Sequence, residues 1–237
     1  MRIILLLASL MITSVAFAEY DDGSFSGSFF QGTEVHAGTE FPFQVGAKVK
    51  FLLPANLHMT FGLGYIPEFY SSLYGDIAGG VGIMGANTAA VASKGLESAF
   101  VVDIRAAYSL DPDGGFYLEG GYAYIMGGGG EASGSEVEDA YGIDYSGFDA
   151  NNSLSIEGNF HAITVHLGYL YLLTERLSLN FDVGLIKPVI ADVTATANGV
   201  TAATAAQIES DLQSYLENVY VSEMYIPTGS IWINYLF

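Results

Sequence analysis

Apolar and polar residues alternate one for one along seven segments of the chain, and more weakly along an eighth. Successive side chains of an extended strand point to opposite faces, so each segment predicts a strand with a different solvent on each side. The weak segment is 24–36, with Phe25, Gly27, Phe29 and Val35 set against Ser24, Ser26, Ser28 and Glu34. A short connection around Gly38-Thr39 leads to Phe41, Phe43, Val45, Ala47, Val49 and Phe51, interleaved with Gln44, Gly46, Lys48 and Lys50. Pro54-Ala55-Asn56 predicts a tight turn, after which Leu57 to Tyr65 alternates with His58, Thr60, Gly62 and Gly64. A fourth strand is expected over about 97–110, a fifth from Phe116 to Met126, a sixth from Ile163 to Tyr171 and a seventh from Leu177 to Leu185. The eighth is the closing segment, with Ile231, Ile233, Tyr235 and the terminal Phe237 on one phase and Ser230, Trp232 and Asn234 on the other.

The connections fall into two classes. Those at 53–56, 111–115 and 173–176 are short, whereas 71–96, 127–155 and 191–223 are long. Eight alternating strands with short turns at one end and long loops at the other predict a closed antiparallel up-and-down barrel that spans a membrane, turns in the periplasm and loops outside. An even count returns the closing strand to the end where the first began. A ten-stranded barrel would need part of a long loop to be strand.

Composition agrees with strands that face lipid. Hydrophobic residues make up 51% of the chain, with 16 Tyr and 15 Phe, yet after the first residues no apolar run is long enough for a transmembrane helix. Met1-Arg2, the apolar stretch from Ile3 to Val15 and Ala16-Phe17-Ala18 read as a cleaved signal peptide over 1–18, with the barrel occupying 19–237. There are no cysteines, which excludes disulfides, thiolate metal sites and a Cys nucleophile. The formal net charge of −19 argues against nucleic acid or an anionic membrane surface as a direct partner. It suits an acidic rim bridged to lipopolysaccharide by divalent cations.

The closing Ile231, Ile233, Tyr235 and Phe237 carry a family resemblance: a terminal Phe with Tyr two residues earlier is similar to the last strand of bacterial outer-membrane β-barrels. The mature chain resembles the small eight-stranded members, the class of the transmembrane domain of outer membrane protein A, without an appended peptidoglycan-binding domain. The resemblance implies outer-membrane localisation, surrounding lipid and lipopolysaccharide, recognition of those four residues by the barrel-assembly machinery, and a monomer.

The polar phase then lines the interior. It places Lys48, Lys50, Glu68, Asp103, Arg105, Glu119, His166 and Asp182 there, with His58, Thr60, Asn180, Trp232 and Asn234. The 111–115 turn sets Arg105 opposite Gly121 and one same-face step from Glu119, which predicts an Arg105–Glu119 contact aided by Asp103 or Asp182. Eight strands enclose a space that side chains fill or that holds one small ligand. A packed structural network and a narrow conduit for ions or small or hydrophobic solutes are therefore both compatible, and glycines 62, 64, 121, 168 and 184 leave room or ease curvature.

In the long loops, Glu131, Glu136, Glu138, Asp139, Asp144 and Asp149 form an acidic stretch behind Gly127-Gly128-Gly129-Gly130, without the spacing of a calcium loop or of a phosphate cradle. Ile208, Leu212, Tyr215, Leu216 and Val219 recur at helical spacing and predict an amphipathic helix from about 202 to 219, over the barrel mouth. Residues 71–96 are apolar for an exposed loop, which suggests a partial plug or a protein contact. No cofactor and no enzyme activity are expected. His161 and His166 lack a Ser two residues on, His58-Met59-Thr60 has the wrong hydroxyl, and His161 meets Asp144 or Asp149 only by unseen loop geometry. The expected role is structural or surface-interacting.

Overall fold

The computed structural model of the protein describes residues 31–110, 115–142, 148 and 151–237. Eight antiparallel strands form one closed barrel in chain order: β1 (Gly32–Phe41), β2 (Gln44–Leu52), β3 (Leu57–Tyr65), β4 (Phe100–Ser109), β5 (Gly115–Ser133), β6 (Ser153–Leu172), β7 (Leu177–Asn198) and β8 (Ile226–Leu236). The predicted terminal strand closes the ring: Tyr235 pairs with Val35 on β1 and with Leu177 on β7. Closure removes the unpaired edges that a row of backbone N–H and C=O groups would otherwise expose.

The first strand is displaced from its expected position. The turn lies at Pro42-Phe43 instead of around Gly38-Thr39, so Phe41 ends β1 and Phe43 is buried at the rim. Proline lacks an N–H for the ladder, which favours the turn there. Residues 1–30, including the expected signal peptide and the strand positions before Gln31, lie outside the described residues.

β1 to β4 and β8 are 9–11 residues long, but β5, β6 and β7 run for 19, 20 and 22. Strands of about 9–11 tilted residues match the hydrocarbon thickness of a bilayer. The three long strands stand beyond the rim as a sheet. Within the ring the outward positions are apolar, among them Phe61, Val102, Ile104, Leu118, Val165, Phe181, Val183 and Ile231, and the inward positions are polar. Beyond the rim the arrangement inverts. There Val193, Ala195, Leu154, Ile156 and Ala132 face inward, while Asp192, Thr194, Thr196, Glu157 and Glu131 face out. Two bulges produce the inversion on β5 and β7, at the register shifts between Ile125 and Gly128 and opposite His161/Ala162. An extra residue flips every later side chain to the other face.

Helices fill the concave side of this sheet. α1 (Glu68–Gly80) and α2 (Ala86–Lys94) join β3 to β4, α3 (Gly134–Tyr141) joins β5 to β6, and α4 (Ala202–Ser222) joins β7 to β8. Helix was expected in the last connection alone. α4 buries Ile208, Leu212, Leu216 and Val219 of the predicted face, with Tyr220 in place of Tyr215, which is exposed, and Thr201 caps its start by accepting from the Thr204 N–H. α3 begins with a reciprocal box in which the Ser133 hydroxyl accepts from the Glu136 N–H and the Glu136 carboxylate accepts from the Ser133 N–H. None of the described helices is long and apolar enough to cross a membrane.

Among its described residues the stretch 127–155 is therefore strand, helix and strand, not one long loop. The glycine run is the reason. A side chain on Gly128 would overlap the Gly95 carbonyl, and one on Gly130 would overlap the Glu97 carboxylate. The segment leaving α2 thus lies directly on bare backbone, held by the Gly129 N–H donating to the Glu97 carbonyl at 2.8 Å. The apolar residues of 71–96 likewise have a use: Tyr74, Ala78, Ala89, Val91, Ala92 and Leu96 are buried in the core beneath the sheet extension.

Candidate functional site: the interior and its seal

Arg105 on β4 is the centre of the interior, 2% exposed. Its Nη2 donates to Glu40 Oε2 at 2.7 Å and its Nη1 to Glu119 Oε1 at 3.2 Å, while Nε stands 3.2 Å from Asp103 Oδ1. Nη1 also lies 3.2 Å from His166 Nε2. Gln44 at the start of β2 ties the acids together, donating to Glu40 at 3.0 Å and to Asp103 at 3.1 Å. The register set by the β4–β5 turn produces the Arg105–Glu119 pairing, with Arg105 opposite Gly121 and Ala107 opposite Glu119.

The other predicted interior residues sit in layers around this centre. Lys48 Nζ lies 3.7 Å from Glu40 and 4.1 Å above the Trp232 ring, a cation on the negative face of an aromatic. Lys50 pairs with Glu34 at 2.7 Å, and His36 reaches the same carboxylate at 3.0 Å. Asp182 is not a partner of Arg105; it accepts from the hydroxyls of Tyr117 and Ser230. Asn234 donates to Asn180 at 2.8 Å and to Ser178 at 3.1 Å.

Glu68 is not in the interior. Pro67 ends the strand pattern after Tyr65, and Glu68 is the first residue of α1, exposed on the outside of the helix. Its place in the charge balance is taken by Glu34 and Glu40, both inward on β1. Glu34 was legible on the polar phase of the first segment; Glu40 was hidden by placing the connection at Gly38-Thr39. Lys48, Lys50 and Arg105 thus face five buried carboxylates, those of residues 34, 40, 103, 119 and 182.

Glycines on neighbouring strands admit these side chains and leave no pocket at their own positions. A Cβ on Gly62 would come within 2.6 Å of Asp103, and one on Gly121 within 2.7 Å of the Arg105 stem. Gly184 is covered by His166, Gly168 by Tyr117 and Gly64 by Gln44.

Above the ionic layer, towards the helices, the interior becomes apolar. Phe43, Ile66, Val101, Ala123, Ile125, Phe160, Ala162, Ile186 and Ile226 are each at most 1% exposed. They join the ring to the core of the helical lobe. Charge and an apolar seal are therefore stacked along one axis.

The outer wall has its own order. Ile231, Ile233 and Tyr235 point outward, and the Phe237 N–H donates to the Thr33 carbonyl at 3.0 Å, with its ring 4.9 Å from that of Tyr235. At the other rim Tyr122 hydrogen-bonds His161, and the Tyr124 and His161 rings lie 4.8 Å apart. Lys187 donates to the Met224 carbonyl at 3.2 Å and covers the Tyr225 ring at 3.9 Å. Asp144 and Asp149, the carboxylates considered for His161, lie outside the described residues. Among the described residues there is no cluster of three or more metal-binding side chains.

No protein-family profile and no characterised protein sequence matches the chain. Solved structures of similar shape include the N-terminal β-barrel domain of OprF from Pseudomonas aeruginosa, at 11% identity over 87% of this chain and 100% of that one, with a TM-score of 0.45. A major outer membrane protein from Thermus thermophilus is 14% identical over 87% of this chain and 98% of that one, with a TM-score of 0.47. CarO from Acinetobacter baumannii is 11% identical over 88% and 98%, with a TM-score of 0.39. Likeness at this level gives no residue-by-residue correspondence.

Proposed function

We infer that the chain is a bacterial outer-membrane β-barrel whose role is structural and surface-directed, presenting the helical lobe outside the cell on a closed, non-conducting support. The observation that carries this reading is the two-storey interior, a paired ionic layer beneath an apolar seal. A hydrated path needs polar lining from end to end, and the seal interrupts it. The apolar belt, with Phe100 and Tyr65 at one rim and Tyr108, Phe116 and Tyr235 at the other, fits lipid on the outside. The lobe is acidic, with Lys94 and Lys187 as its cations among the described residues, so direct attraction to anionic lipid is weak and divalent cations would mediate contact with lipopolysaccharide.

A monomer, folded by the barrel-assembly machinery and without catalytic activity, completes the proposal. Because the chain has no cysteine, single cysteines report orientation cleanly. Glu217→Cys on α4 is expected to react with a membrane-impermeant maleimide on intact cells, and Glu175→Cys in the opposite turn only after the outer membrane is opened. The reverse pattern refutes the assigned orientation. Unchanged lipid A mass and uncut test peptides on expression are expected for a barrel that is not an enzyme.

A further inference from the structure

The inner glycines of β5 are explained by packing, and Gly127 by its φ of +66° at the bulge. Gly128 and Gly130 face the lobe and admit the chain at Gly95–Glu97. Gly127 and Gly129 face outward; a Cβ at Gly127 would meet nothing within 4 Å, whereas one at Gly129 would come within 3.2 Å of the Ile156 carbonyl. They floor a groove of about 430 Å3 that runs from Gly127 to Gly130 and is walled by Glu131, Ser155 and Glu157. Its volume lies within the range of about 300–1,000 Å3 for small-ligand sites.

The walls are polar and unoccupied by structural duties. Glu131 stands opposite Ser155 and Gly129 opposite Glu157, so the carboxylates lie diagonally across two paired strands. The side chains of Glu131, Ser155 and Glu157 make no hydrogen bond or ion pair with another described residue. Such a groove offers carboxylate and hydroxyl acceptors above a floor of exposed peptide groups, which suits a ligand rich in hydroxyl donors. Below the groove on the same outer face lie the adjoining, mutually tilted Tyr124 and His161 rings, and Asn159 accepts from the Gly127 N–H at the step between them.

Position selects the ligand. The groove begins where the wall changes from apolar to polar, three residues beyond Tyr124 on β5 and four from His161 on β6. A lipid packed against the belt below would carry its headgroup to this level. We propose that the groove is a saccharide subsite for the sugar headgroup of a glycolipid in the surrounding leaflet, with Glu131, Ser155 and Glu157 accepting from sugar hydroxyls and a ring edge resting on the glycine floor. This rests on the outer-membrane reading.

The test uses the full barrel in nanodiscs of phosphatidylethanolamine and phosphatidylglycerol, in excess magnesium to offset the repulsion between the acidic walls and the lipid A phosphates, with and without lipopolysaccharide truncated to lipid A and its innermost sugars. Glycolipid retained after mild extraction is counted by native mass spectrometry. The wild type is expected to retain it. Ser155→Tyr, which fills the groove with a strand-favouring residue, and Glu157→Gln, which removes an acceptor, are each expected to lower retention about tenfold or more at equal heat-modifiable folding. A barrel that does not enter nanodiscs at all contradicts the membrane reading. An inserted wild type that retains no glycolipid, variants that retain as much as wild type, or binding of the free oligosaccharide alone, would each overturn the subsite.

Discussion

Arg105 is the residue on which most of the interior depends. Three carboxylates meet its guanidinium, and removing it leaves them buried without their cation. Breaking a buried ion network from one side costs about 3–5 kcal/mol, far more than the network contributes relative to apolar packing. Arg105→Ala should lower the urea midpoint of the folded barrel accordingly. Arg105→Met combined with Glu40→Leu should lose less than the two single changes add up to, because the orphaned charge is removed with its partner. Equal and additive losses would show that Glu40 is not the principal acceptor. A second residue-scale prediction concerns Glu136, whose carboxyl is held below its usual value by the Ser133 N–H and hydroxyl. A depressed carboxylate stabilises the fold above its unfolded value of about 4.3 and loses that contribution as pH falls through its lower folded value. Hydrogen exchange in α3, corrected for intrinsic rate, should lose protection on acidification below about pH 4, and Glu136→Gln should flatten the dependence.

At the scale of elements, the glycine run on β5 governs how the lobe docks. Gly128→Val would push Gly95 off the sheet, an overpacking cost of about 1–3 kcal/mol confined to the lobe. Limited proteolysis between α1 and α2 should accelerate while heat-modifiable migration of the barrel persists; unchanged cleavage would mean that the glycine is not needed for docking. Leu212→Ala in α4 should destabilise the same region by about 2–5 kcal/mol. These elements also mark the limit of what alternation reveals. Strands in the ring were legible because lipid and a polar interior impose opposite faces, and Leu57 to Tyr65 matches β3 residue for residue. The sheet extension was not, because two bulges invert its faces and glycine carries no polarity signal at all. Glu40 and Glu68 were exchanged for a related reason: each lies at a strand end, where one turn residue decides whether a side chain enters the barrel.

For the whole molecule, the chain joins a membrane-depth ring to a globular lobe through one sheet that changes its inward face at the rim. The lobe and the ring share a core, so the barrel mouth is closed by the same residues that hold the helices. A closed support with an exposed lobe is what these features imply together, and conductance tests it most directly. Wild-type protein reconstituted in planar bilayers should give no discrete current steps up to 150 mV of either sign, a driving force of roughly 3–4 kcal/mol for each charge moved. Reproducible steps in the wild type whose amplitude changes with Arg105→Ala would contradict a closed support, since ions would then be passing both the ionic layer and the apolar seal.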